Sequence, residues 1–427
     1  MEIYKKTING IEVNYIQVKK HKHIVIAYNF ISLYNYESFN ERNMLNEILE
    51  NNMQKYPTKT KVNLHLDMLY GATFKSELYS RGNIISNNFY LKFINKNYLK
   101  NQPNLTESAF QFLNELVFNP RKYNNYLTQK ATNKQIDEAK DILKTYEQDK
   151  PTYAYINFKR AILKENIQRL KIFPLEEKLS QVTKYSLTDT YNKMLKEDQL
   201  KIFVIGDFDK LEVENIIQRN FSKKLNNNIL ENINLNFPLR KTSKINEIIE
   251  SDDLSISRIY LGYLLNIKFN SKLYFAMNIL NIIIGGNSKS RLFSVIREKL
   301  NLVYYVYSSY NHDSGIFYIN FECEPLDEDR AINEIKKVID NIKAGKIEET
   351  EIKRAKEYLI KQYKSRADNL VGLLNLHILA DIEENQPFDL TKTINNYSNI
   401  TKKDLLDASK LLVLDTIYRY TKKEQTK

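Results

Sequence analysis

A single cysteine in 427 residues excludes an intramolecular disulfide framework. Cys323 lies in the apolar, strand-like run from Ile316 onward and reads as a small buried hydrophobe. Ten glycines and eight prolines over the whole length exclude collagen-like, proline-rich and linker-dominated architectures. The opening MEIYKKTING lacks the apolar stretch of a signal peptide. The longest apolar run, around Ile279 to Ile284, falls far short of the ~20 residues that a membrane-spanning helix needs. These absences lead us to expect a cytoplasmic protein with no membrane insertion.

What is present is enough to fold. The chain is 42% hydrophobic, 12% aromatic and 27% charged, so it can build a substantial core. Its length is nearly three times a ~150-residue domain, which implies two domains or one duplicated architecture. The net charge of +12 raises nucleic acid, acidic lipid or an acidic partner as candidates. The excess is mostly lysine scattered among Asn, Ile and Tyr, with no Arg-rich run, zinc-knuckle spacing or basic stripe interleaved with aromatics. No nucleic acid is therefore expected as a partner.

Periodicity predicts strands at Gly10 to Ile16, Ile24 to Phe30, Phe74 to Ser80, Ile84 to Phe93 and Leu200 to Gly206. It predicts helices at Glu41 to Met53, Lys61 to Leu69, Ser108 to Phe118, Lys134 to Tyr146 and Val213 to Arg219. The order then repeats: a strand at Ile256 to Leu265, helices at Leu273 to Ile284 and Arg291 to Glu298, strands at Val303 to Tyr310 and Ile316 to Glu322, and long helices from Ala331 onward. Val182-Thr183-Lys184 is echoed 218 residues later by Ile400-Thr401-Lys402, each a Thr-capped helix start followed by a strand. The reading is an α/β (α+β) chain of two homologous halves, residues 1–221 and 241–427. The Asn-rich stretch 222–240 would be the linker between them.

The strongest local signal is GGNSKSRLFSVIREKLNLVYYVYS, from Gly285 to Ser308. It follows a helix and lacks the glycine spacing and Lys-Ser/Thr ending of a phosphate loop. This run resembles the C-terminal-half signature of the pitrilysin/insulinase metallopeptidase family. Ile202 to Asp209 (IFVIGDFD) and Leu69-Tyr70-Gly71-Ala72 are also similar to junctions of that family's first half. The resemblance extends over essentially the full chain, and it implies two halves that are each a mostly antiparallel sheet backed by helices.

The family's catalytic motif is H-x-x-E-H on the first helix. Its two His bind Zn²⁺, the Glu acts as general base, and a later Glu completes the ligand set. Aligning on Tyr56-Pro57 places Asn43, Asn46 and Glu47 at those motif positions. An amide is a poor zinc ligand and takes no proton from water, so neither metal binding nor base catalysis is expected here. Of the five histidines, none forms such a pair, and His21-x-His23 among Lys19, Lys20 and Lys22 reads as solvated residues entering a strand. Glu47 and Glu50, and the acidic Asp137, Glu138 and Asp141 downstream, read as helix surface.

The resemblance also implies an Arg and a Tyr, six residues apart, that reach the substrate carbonyl and its oxyanion; Arg297 and Tyr304 have that spacing. Arg291 and Phe293 read as holding the turn and the core. Together these features imply a non-catalytic subunit that binds no cofactor itself. Zn would be carried by a paralogous H-x-x-E-H partner, with a peptide as substrate. The alternative is a peptide-binding or scaffolding pseudoenzyme, homodimeric in form.

Overall fold

The computed structural model describes residues 2–100, 104–164, 171–221, 229–231, 233 and 242–423. The expected linker over 222–240 lies almost wholly outside the described residues. In chain order the first half has β1 (Glu2–Ile8), β2 (Ile11–Gln17), β3 (His23–Leu33), α1 (Phe39–Asn51), α2 (Lys59–Met68), β4 (Thr73–Arg81), β5 (Ile84–Ile94) and α3 (Leu105–Phe118). A short hairpin, β6 (Lys122–Tyr123) and β7 (Tyr126–Leu127), precedes α4 (Gln129–Gln148), α5 (Lys150–Ile162), α6 (Glu176–Leu179), α7 (Lys184–Glu197), β8 (Gln199–Gly206) and α8 (Lys210–Asn220).

The second half runs β9 (Asn246–Asp252), β10 (Ser257–Leu264), α9 (Lys272–Ile284), a π-helical segment Leu292–Lys299, β11 (Tyr305–Asn311) and β12 (Ile316–Cys323). It continues through α10 (Glu328–Lys343), α11 (Glu349–Asp368), α12 (Leu370–Glu384), α13 (Leu390–Ser398), α14 (Lys402–Ser409) and β13 (Leu414–Lys422).

Sheet topology carries the duplication. The first sheet has the order β1-β2-β8-β3-β5-β4 and the second β9-β13-β10-β12-β11. In each, one parallel pair, β2 with β8 and β9 with β13, joins an otherwise antiparallel set. Without β1, the two orders superpose strand for strand. The repeated Thr is structural in both copies: Thr183 caps α7 in a reciprocal box with Ser186, and Thr401 caps α14 with Asp404.

The compact units are discontinuous in sequence. One unit comprises 1–145, 172–235 and 367–388, and the other 146–171, 236–366 and 389–427. In the first unit, Ile24, Ile26, Tyr28 and Phe30 of β3 share a core with Leu45, Ile48 and Leu49 of α1 and Phe110, Leu113 and Leu116 of α3. Side chains alternate along a strand, so Lys201 of β8 points to the opposite face. There its ammonium meets Asp381 of α12 at 2.7 Å.

The second unit is built the same way. Ile259 and Leu261 of β10 and Phe317 and Ile319 of β12 pack on α9 and α10. Tyr260, Tyr318 and Tyr418 cover the other face with Phe158 and Ile162 of α5. Gly262 of β10 lets that helix approach: a Cβ there would stand 2.7 Å from the Phe158 ring. No helix among the described residues is long and apolar enough to cross a membrane.

Candidate functional site

Helix α1 carries the positions of the degenerate motif, and its apolar face, Met44, Leu45, Ile48 and Leu49, is fully buried. Asn43 spends its side-chain amide on its own helix, donating to the Phe39 carbonyl at 2.8 Å. Asn46 is buried, and its Oδ1 accepts from Nδ2 of Asn87, on β5, at 2.7 Å. Glu47 is exposed and lies 3.3 Å from the Asn51 amide.

The residue before Asn43 anchors the network. Arg42 makes a two-pronged contact to Asp198 at 2.5 and 2.7 Å and donates to Asn87 Oδ1 at 3.3 Å, while Asn87 also donates to the Arg42 carbonyl at 3.0 Å. Arg42, Asn46, Asn87 and Asp198 are all buried. Burial raises the Asp198 carboxyl above its ordinary value, against the pull of the Arg42 hydrogen bonds.

The chemistry of this donor set does not fit zinc. One candidate ligand is hydrogen-bonded within its helix, and the residue at the general-base position is an amide locked to another amide. Among the described residues, no group of three His, Cys, Asp or Glu is disposed to hold a metal. His23 opens β3 exposed, and burial and nearby lysines lower the pKa of both His21 and His23. His65 stacks between Tyr56 and Phe112, and His377 is buried in α12.

Glu50 corrects the surface expectation. It is half-buried and accepts from the Ser76 N–H at 3.0 Å and the Ser76 hydroxyl at 2.6 Å, tying α1 to β4. Burial, its largest influence, raises its pKa. Asp137, Glu138 and Asp141 do lie on the exposed side of α4, in one-turn pairs with Lys140, Lys134 and Lys144. Cys323 is buried and unbridged, and burial pushes its thiol up to about 12.

The signature run lies in the second unit. Gly285 caps α9 without a left-handed turn. Its role is close approach, because a Cβ would stand 2.7 Å from the Ser308 backbone nitrogen of β11, whose N–H donates to the Gly285 carbonyl at 3.2 Å. The helix predicted at Arg291 to Glu298 is π-helical, with the Leu300 N–H reaching the Val295 carbonyl five residues back. Arg291 fastens it to α11 through a bidentate pair with Glu351, at 2.7 and 2.5 Å.

Arg297 is exposed on this segment, its guanidinium 4.7 Å from the centroid of the Phe293 ring. Tyr304 stands one residue before β11, where its N–H extends the ladder to the Glu322 carbonyl at 2.8 Å. Its exposed hydroxyl donates to Glu324, which raises the phenol pKa and keeps it a protonated donor. Arg297 and Tyr304 thus belong to one unit and the motif helix to the other. Sequence reasoning passed over Glu324, Asn87 and Asp198. The single signal for the last two was Arg42, a charge set among the apolar positions of α1.

Residues 181–359 match the peptidase M16 inactive domain family. The chain is 25% identical over 417 residues to a probable inactive metalloprotease, YmfF, of Bacillus subtilis, covering 97% of this chain and 96% of that one. A crystal structure of a conserved protein from Enterococcus faecalis V583 matches over the full length of both chains, with a TM-score of 0.90 at 26% identity. A peptidase M16 inactive domain from Pseudomonas fluorescens matches over both full chains, with a TM-score of 0.80 at 16% identity, a likeness of fold. The motif positions are bound into structural hydrogen bonds, and the chain matches the M16 inactive-domain family over 181–359 and is similar along almost its whole length to a probable inactive metalloprotease, which fits a zinc-motif-lacking branch of the pitrilysin type.

Proposed function

We propose that this chain is the non-catalytic subunit of a heterodimeric pitrilysin-type zinc peptidase, forming half of a peptide-enclosing chamber. The observation that carries the reading is the contrast between two sets of residues. Asn43 and Asn46 are committed to holding α1, whereas Arg297 and Tyr304 are exposed on a π-helical segment and at a strand start, the guanidinium over the Phe293 ring and the Tyr304 O–H donated to the exposed Glu324, which a substrate carbonyl would have to displace. A guanidinium is charged at every working pH, and a phenol donates without acting as a base. Both suit a peptide carbonyl that becomes an oxyanion. Zinc and its activated water would come from the H-x-x-E-H partner.

The test is co-expression with a paralogue that carries H-x-x-E-H, followed by zinc analysis and cleavage of a quenched fluorescent peptide by each chain alone and by the mixture. Cleavage only in the mixture is the expected result. Arg297→Ala or Tyr304→Phe then lowers turnover by about 10²–10³-fold with the assembly intact. A stable homodimer, with no complex and no cleavage, would favour the peptide-binding pseudoenzyme, and unchanged turnover in both variants would remove the oxyanion role.

A further inference from the structure

A cleft of about 680 Å³ opens beside α1 in the first unit, between that helix, the β6 hairpin and α4. Its charges are lopsided: Arg121 and Lys122 on one side and Lys130 and Lys134 on the other, against a single lining carboxylate, Glu47. Lys130 and Lys134 are one helical turn apart, so they present their ammonium groups along one wall. Pro57 and Ala131, both partly exposed, supply apolar lining.

We propose that this cleft binds acidic side chains of an extended peptide, with carboxylates between the two cationic walls and an aliphatic side chain against Pro57 and Ala131. Three observations favour that occupant. The volume falls within the ~300–1,000 Å³ of ligand-binding clefts, too small for a nucleic-acid duplex. The lining combines cations with apolar surface, as a peptide of mixed character requires. Lys122, laid over the Tyr191 ring at 4.6 Å, is partly desolvated, and burial lowers its pKa. An incoming carboxylate would offset that cost. Glu138 lies 3.4 Å from Lys134 in a largely exposed pair that holds Lys134 only weakly. Every residue of the cleft belongs to one unit of this chain, so the inference does not depend on a zinc-bearing subunit.

The test is fluorescence anisotropy of the full chain with a labelled eight-residue peptide of alternating Leu and Glu, and with the same peptide carrying Gln for Glu. The Glu peptide is expected to bind at low salt, and the Gln peptide about tenfold more weakly. The double variant Lys130→Gln/Lys134→Gln should weaken the Glu peptide about five- to tenfold at an unchanged melting temperature. Lys353→Gln/Lys364→Gln, the same charge change on exposed positions of α11, should leave binding as it was. Equal binding of the Glu and Gln peptides overturns the inference. So does a Lys130→Gln/Lys134→Gln variant that binds as tightly as the parent, or tighter binding of a single-stranded oligo-dT.

Discussion

Asn46 stands where the resembled motif has a catalytic glutamate, yet its amide works as a strut between α1 and β5. The loss of the motif was legible in the sequence because it depends only on residue type. What replaced the site was not, since Asn87 and Asp198 come from distant strand and loop positions that no local pattern joins to α1. The Arg42–Asp198 pair predicts a specific asymmetry. Arg42→Met leaves a buried carboxylate without its partner and should cost about 3–5 kcal/mol. Arg42→Met/Asp198→Leu, which removes both charges, should recover most of that loss. Urea denaturation of the two variants tests this, and a double variant no more stable than Arg42→Met would mean that the pair contributes little beyond its packing.

Elements with strong periodicity were read within a few residues: β3, β5, α1, α3, α9 and β12 all lie where alternation or a helical stripe put them. Besides the short hairpin β6–β7, the strands that sequence reading missed are β1 and β9, and both are edges of the large sheets. Asn246–Asp252 has alternating half-exposed positions and too few apolar residues to stand out. The placement of α5 and α12 on the second faces of the sheets was also illegible, because an amphipathic stripe says that a helix packs without saying on what.

Two predictions belong to those helices. Gly262→Val should push Phe158 and Ile162 away from β10 and cost about 1–3 kcal/mol, measured by thermal unfolding. A Gly262→Val protein as stable as the parent would mean that α5 yields without cost. On α12, His377 is buried, accepts from the Phe388 N–H at 3.2 Å, and has its pKa lowered by burial from 6.5 to about 4, against the pull of Asp381. The unfolded chain therefore binds this proton first. Stability falls as pH drops from 6.5 to about 4 and loses nothing further from this group below that, a total of about 3 kcal/mol. His377→Asn keeps an acceptor for Phe388 and does not titrate, so its stability should fall less over that window. Parallel pH profiles for the two proteins would exclude His377 as the source.

At the scale of the whole molecule, duplication was visible as a repeated order of elements, and the matched sheet orders bear out two homologous α/β halves. The sequence could not reveal that each compact unit takes in a helix from the other half's stretch of chain. Residues 367–388 belong with the first unit and 146–171 with the second. The first sheet holds α12 by charge as well as by packing: Asp381 meets Lys5 at 2.5 Å and Lys201 at 2.7 Å, and Glu383 pairs with Arg81. The second holds α5 through a cluster of aromatic rings, with Phe158 stacked on Tyr260 at 4.8 Å. A chain cut between the halves would leave each fragment without a helix that closes its sheet, exposing Lys201 and Arg81 in one and Tyr260 and Tyr318 in the other. Fragments 1–230 and 242–427 should therefore be aggregation-prone or melt without cooperativity when expressed singly. Co-expressed, each supplies the helix that the other lacks, and the pair should co-purify and melt in a cooperative transition. Two fragments that fold cooperatively alone and do not associate would show that the exchanged helices are dispensable to the units they cover.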